Sequence, residues 1–360
     1  MTKFEYIDEP RAANELAHAL QSSQPIGLDT EFMRESTYYP QLCLVQLNTG
    51  KDIFCIDPLA DLDMTGLWQA LCACELIVHS GRQDIEVIYQ SARQMPQTLF
   101  DTQVAAALLG EAPQIGYANL IKMLFEVDLP KSHTRADWSK RPLRQSFLEY
   151  AAEDVEYLLE AHAKLTDELR RAGRFDWALE DSAALLNLDW YVIEPRTAIN
   201  RIRGAISFNN ASRNIAEGLA EWREIRAESS NRPRQWIMKD AVLLQLATER
   251  PRSLSALGAV PGMPPATLRK YGEQLLDLIE NPPRQNDYQP PARPGEAEKA
   301  RLKALSGIVA AVARDLGIAP EIIAPRKELA DAIAGQRHSR MFSGWRGQVL
   351  GNRLLEVLEN

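Results

Sequence analysis

The sequence lacks long hydrophobic runs and has few cysteines, and each absence excludes a class of protein. No run of about 18 apolar residues is present, so no segment predicts a membrane-spanning helix. Residues 1–5 lack the apolar core of a signal peptide, and we expect a cytosolic protein. The cysteines have no paired Cys-x-x-Cys spacing, which favours buried reduced thiols over a zinc site; they are Cys43, Cys55, Cys72 and Cys74.

Positive charge is also scarce, since 41 Lys and Arg stand against 49 Asp and Glu and give a net charge of −8. Phosphate contacts come mostly from Lys and Arg, so this balance argues at first against nucleic-acid binding. The distribution is uneven: residues 1–210 hold 19 basic and 31 acidic residues, whereas residues 211–360 hold 22 and 18. The excess of acid therefore lies in the first part of the chain.

Two acids lie on the first clear strand of the sequence, residues 26–32. Asp29 and Glu31 are two residues apart, so a strand presents them on the same face. Like charges side by side on a strand are destabilising unless a cation or a proton intervenes. The pair therefore indicates a divalent metal site.

A third acid, Asp84, follows a short apolar strand at residues 76–79 and begins a helical pattern. In α/β sheets, ligands bind at the rim where the strands end, which favours a role in the site. An acid at a helix N-terminus is equally explained by the helix dipole, and both interpretations stay open.

The fourth acid shares a helix with a tyrosine. Tyr150 and Asp154 are four residues apart in a helical pattern and so face the same way. Tyr150 alone is typical of a core aromatic residue. Asp154 on a face shared with apolar neighbours is harder to explain structurally, because burying an unpaired carboxylate is costly.

Together these acids predict a hydrolytic metal site. Oxygen ligands without a cluster of Cys or His favour Mg²⁺ or Mn²⁺ over zinc. Several converging carboxylates suit two metal ions that clamp the attacking and leaving oxygens of a phosphoryl displacement. The predicted reaction is hydrolysis of a phosphodiester.

The same residues resemble a known family. Asp-x-Glu on a strand, an Asp after a later strand, and Tyr-x-x-x-Asp on a helix are similar to the tyrosine-bearing branch of the 3′-to-5′ exonucleases with four acidic residues. Flanking stretches, over most of residues 1–200, resemble bacterial ribonuclease D; they are Leu28-Asp29-Thr30-Glu31-Phe32, residues 41–47, His133-x-x-x-Asp137-Trp138-Ser139-x-Arg141-Pro142-Leu143, and residues 150–155.

This resemblance implies roles for the residues. Asp29, Glu31, Asp84 and Asp154 would hold two divalent ions, and Tyr150 would orient the attacking water. The implied activity is a 3′-to-5′ exoribonuclease that releases nucleoside 5′-monophosphates from precursor tRNA and other structured RNAs. We expect a monomer with RNA as its partner and no membrane association.

The later part of the chain contains the motifs Leu219-x-x-Trp222-Arg223, Val260-Pro261-Gly262 and Lys270-Tyr271-Gly272. They resemble the helicase and ribonuclease D C-terminal (HRDC) domain, a small helical bundle that assists nucleic-acid binding in its family. A nuclease pattern followed by this domain is more specific than either alone. The expected domains are an exonuclease at 1–205, HRDC at 211–281, a Pro-rich linker at 282–295 and a degenerate HRDC-like copy at 296–360.

The pattern of elements predicts an α/β fold of the ribonuclease H-like type, with a mixed sheet flanked by helices, followed by two small all-α domains. Predicted strands cover residues 26–32, 42–47, 52–56, 76–79 and 98–101. Predicted helices cover residues 64–74, 85–92, 103–109, 117–125 and 145–171.

Substrate contacts are predicted in the basic stretch at residues 131–144 and on the second strand. The cations are suited to phosphates and Trp138 to stacking on a base, although a solvated loop and a Trp that anchors the fold are the alternatives. Gln46 either faces the nucleotide or has a structural role. The candidates are Gln46, Lys131, Arg135, Trp138 and Arg141.

Two further groups have weaker support. His79 lies near Asp84, but a two-metal site needs no His base, because the metals already lower the pKa of bound water. In the helical domain a basic face is possible, although interspersed Glu residues make ordinary helical pairs equally suitable; its members would be Arg223, Arg226, Arg232, Arg234, Lys239, Arg269 and Lys270.

Two rival functions remain. A DNA exonuclease would use the same metal chemistry, and no residue identifies a reader of the 2′-hydroxyl, so the preference for RNA rests on the resemblance. A noncatalytic RNA-binding protein on the same scaffold is disfavoured, because it gives no reason to keep four acids and the tyrosine together.

Overall fold

The structure is a computed structural model that describes residues 2–20, 24–130, 136–291, 294–336, 339–350 and 352–359. The chain forms two compact units. Unit 1 contains residues 1–33, 42–188 and 294–360, and unit 2 contains residues 34–41 and 189–293.

Within the described residues of unit 1, six strands form a sheet in the order β1-β4-β3-β2-β5-β6. β3 and β4 are antiparallel, whereas the pairs β1–β4, β2–β5 and β5–β6 are parallel. The mixed sheet of the sequence prediction is therefore confirmed. The strands are β1 Glu5–Ile7, β2 Pro25–Met33, β3 Gln41–Asn48, β4 Ile53–Ile56, β5 Glu75–Val78 and β6 Thr98–Asp101.

The first group of helices in unit 1 flanks this sheet. The helices are α1 Pro10–Ala19, α2 Thr65–Ala73, α3 Arg82–Ala92, α4 Thr102–Leu108, α5 Tyr117–Phe125, α6 Gln145–Glu156, α7 Leu158–Arg171 and α8 Phe175–Ala184. Helix α1 packs against α2 and α5 against α7, while the others contact the strands directly.

The helix predicted over residues 145–171 is two helices in the structure, because side chains from other elements form hydrogen bonds with the backbone near its middle. Asn48 donates from Nδ2 to the carbonyls of Val155 (3.0 Å) and Glu156 (2.9 Å) at the end of α6. The Tyr157 amide donates to the Tyr117 hydroxyl (3.1 Å) as well as to the Val155 carbonyl. Asn48 thereby fixes the end of α6 against the end of β3, and Tyr117 ties the next residue to the start of α5.

The last segment of the chain also belongs to unit 1. Its apolar residues, including Leu305 and Val309, share one buried core with the sheet and with α6 and α7. Trp345 stacks on Trp177 of α8, with ring centroids 4.5 Å apart. The helices are α14 Glu296–Leu316, α15 Pro320–Ile323, α16 Arg326–Ile333, α17 Gly344–Leu350 and α18 Arg353–Glu359. Descent of this segment from a second HRDC domain stays a prediction.

Unit 2 is helical and has its own core. Residues 189–205, which the sequence placed in the first domain, lie here because Ala198 and Ile199 of a 3₁₀ helix, Pro195–Arg201, join that core. The helices are α9 Asn210–Ser229, α10 Arg234–Ile237, α11 Asp240–Glu249, α12 Leu254–Ala259 and α13 Pro265–Glu280. No helix among the described residues of either unit is long and apolar enough to cross a membrane.

Candidate active site

Strand β2 presents the first two carboxylates. Asp29 and Glu31 alternate with Leu28 and Thr30, so they share one face of the sheet with Gly27. A Cβ at Gly27 would lie 3.2 Å from the Cβ of Leu158, tighter than ordinary contact. The absent side chain thus lets the start of α7 approach β2 and brings the end of α6 close to the acids.

Helix α6 supplies the third carboxylate. One ligand atom from each of Asp29, Glu31 and Asp154 lies within 4.8 Å of the other two. The hydroxyl of Tyr150, one turn earlier, is hydrogen-bonded to Asp154. The strand pair and the helix pair predicted from the sequence therefore meet at one point.

The pKa values of the three clustered carboxylates and of the Tyr150 hydroxyl are all raised. Burial, helped by the charges of Asp154 and Asp84, raises the pKa of Glu31 to about 8. Burial raises the pKa of Asp154 to about 7, and burial with the neighbouring carboxylates raises that of Asp29 well above its usual range. Burial, with the charge of Asp154, also raises the pKa of Tyr150. At neutral pH the cluster therefore binds protons or a cation, and Tyr150 keeps its proton.

Asp84 lies beside this group but outside the set of three. It is buried near the start of α3, and its Oδ1 accepts a hydrogen bond from Thr30 Oγ1 at 2.6 Å. Burial raises the pKa of Asp84 to about 6, and its charge in turn raises the pKa of Asp29 and Glu31. The fourth acid thus contributes to the same electrostatic site.

Asp101 is a buried residue that the sequence analysis missed. Its carboxylate accepts hydrogen bonds from the amides of Ser80 (3.0 Å) and Gly81 (2.9 Å) in the turn before Asp84. It also accepts from the amides of Gln103 and Val104 as the N-cap of α4. An Asp between a strand and a helix is a recognisable N-cap signal in the sequence. Its hydrogen bonds to the Ser80–Gly81 turn are not predictable in this way, because they depend on the pairing of β5 with β6.

His79 has a structural role. Its Nε2 donates to the carbonyl of Ile115 and its Nδ1 lies 2.9 Å from Thr102 Oγ1, so both ring nitrogens are engaged. Burial lowers its pKa. The structure gives His79 no free nitrogen with which to act as a base.

Arg141 is held within the protein rather than presented to a substrate. Its Nε and Nη2 donate to the two carboxylate oxygens of Asp57 at 2.5 and 2.6 Å. The remaining N–H groups donate to the carbonyls of Cys43, Trp138 and Lys140. All five donors of the guanidinium are thereby used, which leaves none for a phosphate.

Trp138 and Gln46 are likewise buried. Trp138 is 3% exposed and packs near the rings of Phe147 and Tyr150, so it anchors the segment before α6 and does not stack on a base here. Gln46 is fully buried opposite Cys55 and does not face a nucleotide. The structure thus places Gln46 and Trp138 in the interior and engages Arg141 with groups of the protein, whereas Lys131 and Arg135 lie outside the described residues.

Comparison with known proteins supports this geometry. The 3′-5′ exonuclease family matches residues 4–170 and the HRDC domain matches residues 212–279. Ribonuclease D of Xanthomonas oryzae pv. oryzae is 36% identical over 96% of this chain and 97% of its own length. Ribonuclease D of Zymomonas mobilis is 36% identical over 96% and 91%.

A solved structure is similar to this chain over its whole length. The crystal structure of Escherichia coli RNase D superposes with a TM-score of 0.91 and 29% identity, covering 99% of both chains. The converging acids, the matched domains and these full-length relatives lead to one conclusion. The chain belongs to the ribonuclease D family and is a hydrolytic 3′-to-5′ exoribonuclease.

Proposed function

We propose that Asp29, Glu31, Asp84 and Asp154 hold two divalent ions, Mg²⁺ or Mn²⁺, at the 3′-terminal phosphodiester of an RNA. The observation that carries this proposal is the cluster of three carboxylates whose ligand atoms lie within 4.8 Å of one another. Oxygen donors alone suit hard cations, and the raised pKa values indicate a local excess of negative charge. When bound, such ions supply an activated water and neutralise charge on the phosphate.

The protein's own groups position the reactants. Tyr150 stays protonated because burial raises its pKa, and its hydroxyl is held by Asp154. A hydroxyl fixed in this way can orient the attacking water with its oxygen. Attack on the terminal phosphodiester then releases a nucleoside 5′-monophosphate and leaves a shortened 3′ end.

The proposed substrates are precursor tRNAs and other structured RNAs with a single-stranded 3′ tail. The Escherichia coli relative is described as an exoribonuclease involved in structured RNA processing, which supports this class. A DNA exonuclease is the rival, because the described residues reveal no reader of the 2′-hydroxyl. Degradation of matched RNA and DNA strands side by side separates the two.

The test is a time course on a 5′-labelled RNA with a hairpin and a single-stranded 3′ tail. We expect a Mg²⁺-dependent ladder that shortens from the 3′ end, stalls near the hairpin and is absent in EDTA. Asp29→Asn should slow it by more than about a hundredfold, because losing groups that merely support a metal ligand already costs 10- to 100-fold.

Asp52→Asn is the matched control, since Asp52 is an exposed acid of the same unit. It should degrade RNA at the wild-type rate. Retained activity in a pure preparation of Asp29→Asn would contradict the assignment of the metal site.

A further inference from the structure

Gln46 of β3 is conspicuous because its side-chain amide is buried without a hydrogen bond. The side chain is fully buried, and neither its Oε1 nor its Nε2 has a partner among the residues that the structure describes. A buried polar atom without a partner destabilises a fold, since it has given up its hydrogen bonds to water. Such an amide in a native protein indicates a function rather than packing alone.

The neighbours of Gln46 on its own face of the sheet show where the amide lies. Gln46 is paired with Cys55 of β4, whose Sγ donates to the carbonyl of Leu148 in α6 at 3.9 Å. Two residues along β3, Asn48 is hydrogen-bonded to the last residues of α6. Side chains at alternate positions of a strand share a face, so Gln46 also lies beneath α6, the helix that carries the third carboxylate of the site.

On the β2 side, Gln46 faces Asp29. Strands β2 and β3 are neighbours in the sheet and are joined by residues 34–40 alone, a connection too short for parallel strands, so the pair is antiparallel. A Cβ at Gly27 would lie 3.3 Å from the Cβ of Asn48, so these two positions are opposite each other. Two residues along each strand, toward the connection, Asp29 is therefore opposite Gln46 on the same face. The Cβ atoms of such a pair are roughly 5 Å apart, within reach of a Gln side chain.

The amide of Asn48 on the same face shows what a structural role looks like. Its Nδ2 donates to the end of α6 and its Oδ1 accepts from the amide of Gly50 at 2.8 Å, so both ends are used. The amide of Gln46 is used at neither end, and it lies beside a carboxylate. Carboxylates that bind metal ions are in turn held by hydrogen bonds from the groups behind them.

We propose that Gln46 is a positioning residue, whose Nε2 donates to the carboxylate of Asp29 and holds it in the orientation that binds a metal ion. This inference rests on the proposed function, because it assigns a supporting group to one of the proposed ligands.

The test is the binding of Mn²⁺ to the full chain without RNA, followed by the electron paramagnetic resonance of free Mn²⁺. Gln46→Met keeps the length of the side chain and removes the donor, so it should bind Mn²⁺ about 10- to 100-fold more weakly than the wild type. Gln46→Asn keeps an amide on a shorter stem and should recover part of the loss. A side chain that only fills space predicts the opposite order, because Gln46→Met fills the volume that Gln46→Asn leaves empty.

Thermal unfolding in EDTA separates positioning from folding. Gln46→Met removes a buried amide that has no partner, so its Tm in EDTA should equal or exceed that of the wild type. Thr166→Val is the matched control, since the Thr166 hydroxyl is also buried without a partner in the described part of the chain but lies on α7, about two turns past its start. It should behave as Gln46→Met does in EDTA and bind Mn²⁺ with wild-type affinity.

Kinetics give a further measurement. At a fixed Mg²⁺ concentration, Gln46→Met should lower kcat by about 10- to 100-fold and leave KM for RNA unchanged, because the amide supports a metal ligand and does not touch the substrate. A raised KM with wild-type kcat would instead identify a substrate contact and overturn the inference.

The outcomes separate this inference from the proposed function. If Asp29→Asn binds Mn²⁺ as the wild type does, the proposed metal site fails and this inference fails with it. If Asp29→Asn loses Mn²⁺ but Gln46→Met binds it as tightly as the wild type, or more tightly than Gln46→Asn, this inference fails and the metal site stands. A Tm of Gln46→Met in EDTA clearly below that of the wild type would mean that the amide stabilises the fold itself, which also overturns the inference.

Discussion

Replacing Asp154 by Asn should stabilise the metal-free protein while it destroys the site. In the folded state burial raises the pKa of Asp154 to about 7, compared with an ordinary value of 3.8. The folded state therefore binds more protons than the unfolded state between about pH 4 and pH 7, so stability falls as the pH rises through this window and then levels off.

The magnitude follows from that difference. Each pKa unit corresponds to about 1.4 kcal/mol, so ionised Asp154 costs at most about 4 kcal/mol in the folded state. The nearby carboxylates share protons with it, so we expect the Asn variant to gain about 2 kcal/mol at pH 8 and almost nothing at pH 4. For a unit of this size that gain raises Tm by about 4–8 °C.

The assay is thermal unfolding in EDTA at pH 4 and pH 8, repeated at pH 8 with Mg²⁺. Mg²⁺ should raise the Tm of the wild type and have much less effect on Asp154→Asn, which lacks one charged ligand. Glu149→Gln removes a charge from the same helix outside the cluster and should follow the wild type. The reasoning is refuted if Asp154→Asn is no more stable than the wild type at pH 8 in EDTA, or if Mg²⁺ stabilises both equally.

Three further predictions concern neighbouring residues. Tyr150→Phe should lower kcat roughly a hundredfold with little change in KM and an intact Mg²⁺-dependent rise in Tm, and a wild-type kcat would exclude a role in orienting the water. Arg141→Ala should lower the free energy of unfolding by about 3 kcal/mol, because it leaves the buried Asp57 unpaired; wild-type stability in chemical denaturation, with only KM raised, would mean a substrate contact instead. His79→Gln should keep kcat within a few-fold, and a loss above about a hundredfold would identify it as a base after all.

The main features of the site could be predicted because they depend on local periodicity. Asp29 and Glu31 share a face through strand alternation, and Tyr150 and Asp154 through helical spacing. The apolar periodicity of Tyr117–Phe125 likewise predicts both ends of that helix. That the two pairs would meet came from the family resemblance, since periodicity alone does not bring β2 to α6.

The errors come from interactions between residues distant in sequence. From the sequence alone Arg141 is predicted to bind the substrate. In the structure it is hydrogen-bonded to Asp57, which lies 84 residues earlier in the chain. Helix α1 was missed because it buries only Ala13 and Leu16, and β1 because three residues give no period. Asn48 divides the predicted long helix through bonds to residues more than 100 positions away.

The central claim is that four acids hold two metal ions, and diffraction from crystals grown with Mn²⁺ and a nucleoside 5′-monophosphate tests it most directly. The account predicts two anomalous peaks roughly 4 Å apart, with ligands from Asp29, Glu31, Asp84 and Asp154. Two peaks elsewhere, or none at these carboxylates in crystals that bind the nucleotide, would contradict it.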